Sequence, residues 1–205
     1  MTRLHCIPAE LRSFLEPLRK EFSYNHYLTF LWLVLAIMNN SKKGTLKNLS
    51  QIPAKKSYHT FLRFLKARYL QPRRWLMFTA LARLKALRGK ETQLKIVSDV
   101  TWIHKTGQHD WISRGYKSNA KPEQGLQLLV LCFEMQGQRI PFDFFIISKP
   151  DGHRLSYNPQ MLKMMAQLKL PKWVKSVVLL ADAAFASKRV IQKLNQWGWG
   201  YVFLS

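Results

Sequence analysis

Apolar residues recur at spacings of three and four along residues 1–90, the period of helices that pack on a common core. Five helices are predicted: one after Pro8, the apolar run Tyr27–Met38, two helices capped by Thr45 and Ser57, and one from Pro72 to about Ala86. The run Tyr27–Met38 is shorter than the roughly 20 apolar residues of a spanning helix. We therefore predict a buried core helix there and no membrane span.

The period changes after a polar break around Gly89. Strand-like runs cover residues 94–103, 126–133, 140–147, 177–181 and 201–204, and helical periods follow the predicted caps Asn158 and Ser187. Short connections, one with a turn at Gly137, predict antiparallel pairing of the first three strands, and helical connections predict parallel later strands. The sequence therefore predicts an α/β protein, with a helical region over 1–90 and a mixed sheet with flanking helices over 91–205.

The composition points to a polyanionic partner. The chain has 33 Lys and Arg against 11 Asp and Glu, a net charge of +22, and most of the excess lies in residues 1–90. A hydrophobic fraction of 47% excludes a disordered basic tail, since such tails lack a core. The two cysteines lie far apart, which argues against a disulfide scaffold or zinc ribbon and favours a cytoplasmic location.

The helix predicted from Ser57 to about Tyr69 carries a candidate DNA-binding face. Its apolar stripe is predicted to be Tyr58, Phe61, Leu62, Leu65 and Tyr69. His59, Arg63 and Lys66 share another face, and Lys55 and Lys56 precede the helix, where DNA-binding modules meet phosphates. A short helix, a proline-containing turn and a basic helix resemble a helix-turn-helix. The alternative is an amphipathic helix with a solvated basic face.

Two aspartates stand at apolar strands in a chain with few acids. Asp99 lies within the first strand and Asp182 at the carboxyl end of the fourth, so they converge if these strands are neighbours. Adjacent carboxylates repel each other, and a bound divalent cation removes that cost. Mg²⁺ is commonly held by one or two carboxylates together with substrate phosphates. The alternative for Asp182 is a capping role in the following turn, which is common after a strand.

Several motifs together resemble DDE-type bacterial insertion-sequence transposases. The segments 98–101 and 105–107 resemble the first-aspartate motif, and 179–185 resembles the second-aspartate motif. The segments 125–130 and 137–141 resemble the hairpin between them, and 45–66 resembles the helical region that binds transposon ends. The resemblance implies an RNase H-like fold, with Asp99 and Asp182 as catalytic ligands of Mg²⁺ or Mn²⁺. It also adds Lys105, in the first motif, to the candidate DNA contacts.

The resemblance implies which partners the protein has, and the sequence differs from the family pattern in one acidic residue. The implied partner is double-stranded DNA, both transposon ends and target, in a nucleoid-associated bacterial protein that forms a homodimer at full length. The third acidic residue of the family is a glutamate on a helix after the last strand. Glu123 and Glu134 lie on the wrong elements for that role. We therefore expect an amino-terminal portion of a transposase, inactive alone.

Other chemistries have weaker support in the sequence. His104, His109 and Asp110 are too few ligands for a zinc site. No phosphate-binding loop or nucleophile-elbow motif is present. The remaining functional alternative is a DNA-binding protein without chemistry that occupies transposon ends, which would explain the charge but not the two aspartates.

Overall fold

The structure, a computed structural model, describes residues 5–40, 45–53, 56–67, 70–89, 91–104, 113–115, 123–147 and 156–204. The chain divides into two compact units, Met1–Thr79 and Ala80–Ser205, and the division falls inside a helix. The domain boundary that we place at residue 90 stays a prediction. Among the described residues, no helix is both long enough and apolar enough to cross a membrane.

The first unit is helical. Its elements are α1 (Ala9–Leu15), a 3-10 helix (Glu16–Glu21), α2 (Tyr24–Met38), α3 (Leu46–Leu49), α4 (Tyr58–Leu65) and α5 (Pro72–Ala86), which crosses the division between the units. Both predicted caps form: the Thr45 hydroxyl accepts a hydrogen bond from the Asn48 N–H at 3.2 Å, and the Ser57 hydroxyl accepts one from the Thr60 N–H at 3.3 Å. The Ser57 helix is shorter than predicted, because it ends at Leu65.

An aromatic cluster sets which face of α4 is buried. The Phe22 ring lies 4.6 Å from the Trp75 ring and 6.2 Å from the Phe64 ring, measured between centroids. Phe61 and Phe64 are therefore buried, whereas Tyr58 and Leu65 are 40% and 47% exposed. The predicted apolar stripe is wrong in these two members, and Tyr69 lies outside the described residues. The face of α4 that carries Phe61 and Phe64, three residues apart, is therefore the one that packs against the aromatic cluster.

The second unit is built on one mixed sheet. Its strands are β1 (Gln93–His104), β2 (Ser113–Gly115), β3 (Glu123–Met135), β4 (Gln138–Ile146), β5 (Ser176–Asp182) and β6 (Gly200–Leu204). The order is β2-β3-β1-β5-β6, with β4 also paired to β3. The pairs of β1 with β3 and β3 with β4 are antiparallel, and those of β1 with β5 and β5 with β6 are parallel. The predicted α/β class is confirmed, and the sheet is consistent with an RNase H-like arrangement.

The turns and helices between the strands agree with the sequence-based predictions except at one helix cap and one short strand. A two-residue turn joins β3 to β4 with positive φ at Gln136 (51°) and Gly137 (72°), the conformation that suits a tight hairpin. The α-helix after β4 is α6 (Tyr157–Ala166) and the α-helix after β5 is α7 (Lys188–Trp197), which Ser187 caps as predicted. The prediction of Asn158 as a cap is wrong, because α6 begins one residue before it. The short strand β2 was not predicted.

The two faces of the sheet differ in burial. Leu94 and Ile96 of β1 are fully buried on one face, together with Leu129, Leu131 and Phe133 of β3. Helix α6 contacts β3 and helix α7 contacts β6. The alternate positions of β1, Val97 and Asp99, belong to the opposite face and are half-buried and exposed. Asp99 is therefore on the open face of the sheet.

Candidate active site

The register of β1 and β5 places the two predicted aspartates side by side. Ser98 is paired with Ala181, and Asp99 and Asp182 are the next residues of the two parallel strands. Residues at equivalent positions of adjacent strands project to the same face, and neighbouring strands lie about 4.8 Å apart. Both side chains are exposed. The structure therefore brings the two carboxylates together, as the strand order predicted.

Both aspartates line one open cavity of about 290 Å³. The residues that line it are two aspartates, one arginine, one serine and four apolar residues: Val97, Ser98, Asp99, Arg139, Leu180, Ala181, Asp182 and Leu204. Four of these residues come from the ends of β5 and β6, and three come from β1. The cavity thus lies where a parallel strand pair ends, beside the start of the hairpin strand β4.

Asp182 also has a structural role. Its Oδ1 atom accepts a hydrogen bond from the Ala184 N–H at 2.7 Å and caps a short 3-10 helix, Ala183–Phe185. The capping alternative is therefore realised in the structure. A carboxylate has two oxygens with several acceptor positions, so one cap bond does not exhaust its capacity to bind a cation. The cap instead fixes the orientation of the carboxylate at the strand end.

Arg139 is a component of the cavity that was not predicted from the sequence. Its Nε–H group donates to Glu134 Oε2 at 3.2 Å, and Lys95 Nζ lies 3.6 Å from the other oxygen of Glu134. Glu134 is only 18% exposed, whereas Arg139 is 69% exposed. The hairpin register places Glu134 opposite Arg139. An opposite-charge pair flanking the two-residue turn was the available signal.

Cys132 lies close to the same group of charges. It is paired with Val97 across β1 and β3. Burial raises the pKa of the Cys132 thiol, and the Asp99 carboxylate adds to that rise while Arg139 opposes it. The strand registers place Cys132 and Arg139 on the face of the sheet that carries Asp99.

The donor set fits a hard divalent cation. Carboxylate oxygens are the protein ligands that Mg²⁺ and Mn²⁺ prefer, and Mg²⁺ is commonly held by one or two of them with substrate phosphates. Among the described residues, no group of three or more His, Cys, Asp or Glu side chains could hold a metal ion. Asp143 is buried on β4 and is paired with Leu131, so it belongs to the face of the sheet opposite Asp99.

The candidate DNA contacts lie in the first unit, apart from Lys105. His59, Arg63 and Lys66 are exposed on or directly after α4, at the predicted helical spacing. Lys56 is half-buried before that helix. Lys55 and Lys105 lie outside the described residues, as do His109 and Asp110. The basic face of α4 is thus accessible, whereas its role in DNA binding stays a prediction.

Comparisons with known proteins give distant likenesses. No protein-family model and no curated protein matches the chain. A structure of the Mos1 mariner paired-end complex with Mn matches at 15% identity and a TM-score of 0.33, over 98% of this chain and 61% of the other. A piggyBac transposase synaptic complex with hairpin DNA matches at 14% identity and a TM-score of 0.41, over 96% of this chain and 48% of the other. The chain thus spans less than two thirds of either protein, and such low scores carry no argument about activity.

Proposed function

We propose that this chain is a transposase-type protein of the bacterial insertion-sequence class, in which Asp99 and Asp182 hold Mg²⁺ or Mn²⁺ at bound DNA. The observation that carries the proposal is the adjacency of the two carboxylates at one open cavity, in a chain with a net charge of +22. The charge supplies attraction to DNA, and the carboxylates supply the ligands for a cation.

The two aspartates of the cavity are positioned in different ways. Asp99 is held by the β1 ladder, and Asp182 is oriented by its bond to the Ala184 N–H. A carboxylate that is already oriented, as that of Asp182 is, loses little freedom when a cation binds. Divalent ions in such sites activate an attacking oxygen and stabilise a leaving oxygen in phosphodiester chemistry. DNA cleavage and strand transfer are the reactions that this arrangement would serve.

The second candidate is a DNA-binding protein without chemistry that occupies transposon ends. The cap bond from the Ala184 N–H favours it, because that bond accounts for Asp182 without any metal. The two candidates differ in whether the cavity binds a cation. Titration with Mn²⁺, followed by the electron paramagnetic resonance signal of the free ion, separates them.

The metal proposal predicts saturable Mn²⁺ binding that Asp99→Asn and Asp182→Asn each abolish. Both substitutions keep the size of the side chain and remove its charge. The matched control is Asp143→Asn, on the opposite face, which should bind Mn²⁺ like the wild type. Binding that survives in both site variants would remove the metal proposal and leave the DNA-binding alternative.

The DNA proposal predicts that the basic face of α4 matters more than basic residues elsewhere. Duplexes from the DNA that flanks the coding sequence are suitable substrates, since they would include the transposon ends. Arg63→Ala with Lys66→Ala should weaken binding and reduce the salt slope by about one for each phosphate that is no longer neutralised, measured from about 50 to about 200 mM NaCl. The control is Lys172→Ala with Lys175→Ala, at two lysines that are also exposed. Equal weakening in both double variants would contradict a special role for α4.

Cleavage is a separate question from binding. We expect the chain alone to bind such DNA without cutting it, because a second ion would need a further carboxylate and the described residues bring none to the two aspartates. Incubation of the same duplexes with Mg²⁺ or Mn²⁺ tests this expectation. Metal-dependent cleavage that Asp99→Asn abolishes would contradict it and establish a complete active site.

A further inference from the structure

Arg139 lines the cavity and is anchored by one hydrogen bond of its guanidinium. Its Nε–H group donates to Glu134 Oε2 at 3.2 Å, and among the described residues this is its one hydrogen bond. A guanidinium has five N–H donors, so the groups on its two terminal nitrogens can serve a ligand. Arg139 also lines the cavity with Asp99 and Asp182. The anchored arginine therefore sits beside the carboxylates without an ion pair to either of them among the described residues.

The charges around the cavity favour an anion only after a cation binds. Asp99, Asp182 and Glu134 carry three negative charges, and Lys95 and Arg139 carry two positive charges, which leaves one net negative charge. One divalent ion at the two aspartates reverses that balance to one net positive charge. A phosphate would then meet both the ion and a guanidinium.

We propose that Arg139 is a phosphate-binding residue of this cavity, and that it binds a DNA phosphodiester together with the divalent ion. The inference rests on the proposed function, since it requires a cation at Asp99 and Asp182. Arginine suits the role because its planar fork can give two parallel hydrogen bonds to phosphate oxygens. Glu134 acts as the positioning residue, because its bond to Nε holds the guanidinium at the cavity.

The proposal makes the two ligands cooperative. A phosphate that contacts both Arg139 and the cation tightens cation binding, and by thermodynamic reciprocity the cation tightens phosphate binding by the same factor. The probes are Mn²⁺ and the thymidine dinucleotide, which carries a single phosphodiester. The measured quantity is the Mn²⁺ dissociation constant, with and without saturating dinucleotide.

In the wild-type chain the dinucleotide should tighten Mn²⁺ binding about tenfold, within the usual range of coupling between sites. Arg139→Gln should lose this coupling while binding Mn²⁺ alone at least as tightly as the wild type, because a nearby positive charge is gone. Arg139→Lys should retain only part of the coupling, since it keeps the charge and loses the fork. Glu134→Gln should also weaken the coupling, because the guanidinium is no longer anchored.

The matched control is Arg83→Gln. Arg83 donates a hydrogen bond of 3.0 Å to the side chain of Gln138, the residue that precedes Arg139. Arg83 does not line the cavity. It should keep the full coupling. Full coupling in Arg139→Gln, or none in the wild type, would overturn the inference and leave the metal proposal intact. Absence of Mn²⁺ binding that depends on Asp99 would overturn both.

Discussion

Asp182 has a structural role and a proposed ligand role, which one pair of substitutions separates. Its Oδ1 atom caps the 3-10 helix Ala183–Phe185, and its carboxylate is a proposed cation ligand. Asp182→Asn keeps an oxygen that can accept from the Ala184 N–H, but it removes the charge. Asp182→Ala removes both. We therefore expect the two variants to agree in metal response and to differ in stability.

The expected magnitudes follow from these interactions. Loss of a capping side chain costs about 1 kcal/mol of unfolding free energy, so Asp182→Ala should be destabilised by roughly that amount and Asp182→Asn by much less. A cation present at ten times its dissociation constant stabilises the folded state by about 1.4 kcal/mol. Wild-type protein should gain this stabilisation in Mn²⁺, and neither variant should gain it.

Urea unfolding with and without Mn²⁺, followed by circular dichroism, measures both effects. The chain has two compact units, so the transition that Mn²⁺ shifts in the wild type is the one to compare. The interpretation of Asp182 as a cap is refuted if Asp182→Asn and Asp182→Ala lose equal stability. The interpretation as a ligand is refuted if Asp182→Asn keeps the wild-type gain in Mn²⁺.

Three further predictions concern packing and ionisation. Phe61→Ala should cost about 3–5 kcal/mol, because the ring is fully buried, whereas Leu65→Ala, at a position 47% exposed, should cost well under half as much in the same urea assay. Gly125→Ala should cost about 1–3 kcal/mol and alter the near-ultraviolet spectrum, because its Cβ would lie 2.5 Å from the Trp102 ring nitrogen. The pKa of the Cys132 thiol is raised above its usual 9.0, so the folded state keeps this proton longer than the unfolded chain and stability should fall as pH rises above about 9. Cys132→Ala should remove that part of the pH dependence, and an identical decline in the variant would contradict it.

The sheet could be predicted from the sequence because its strands carry their own signals. The uninterrupted run in β5 and the turn at Gly137 are local features, and the connections then restrict strand direction. The buried face of α4 could not be predicted in the same way. Apolar residues surround most of that short helix, and the choice of Phe64 over Leu65 depends on Phe22, which is distant in sequence.

The candidate site also has one part that the sequence predicted and one part that it did not. The adjacency of the two aspartates followed from the predicted neighbourhood of two strands, which the register of β1 and β5 supports. The position of Arg139 depends on the strand register, which the two-residue turn sets. To predict that position from the sequence, the type of the turn must be known as well as its location. The short strand β2 has no hydrophobic signature of its own, because pairing with β3 alone defines it.

Asp99 gives the stronger argument for a bound cation. Asp182 ends a strand and caps a turn, so its position has a structural explanation. Asp99 lies inside β1, which continues to His104, so no helix or turn begins there that needs a cap. Aspartate is also a poor strand former. Two like charges on neighbouring strands also repel each other. A divalent ion would offset both costs, and Asp99 is for that reason the residue whose substitution tests the proposed function most directly.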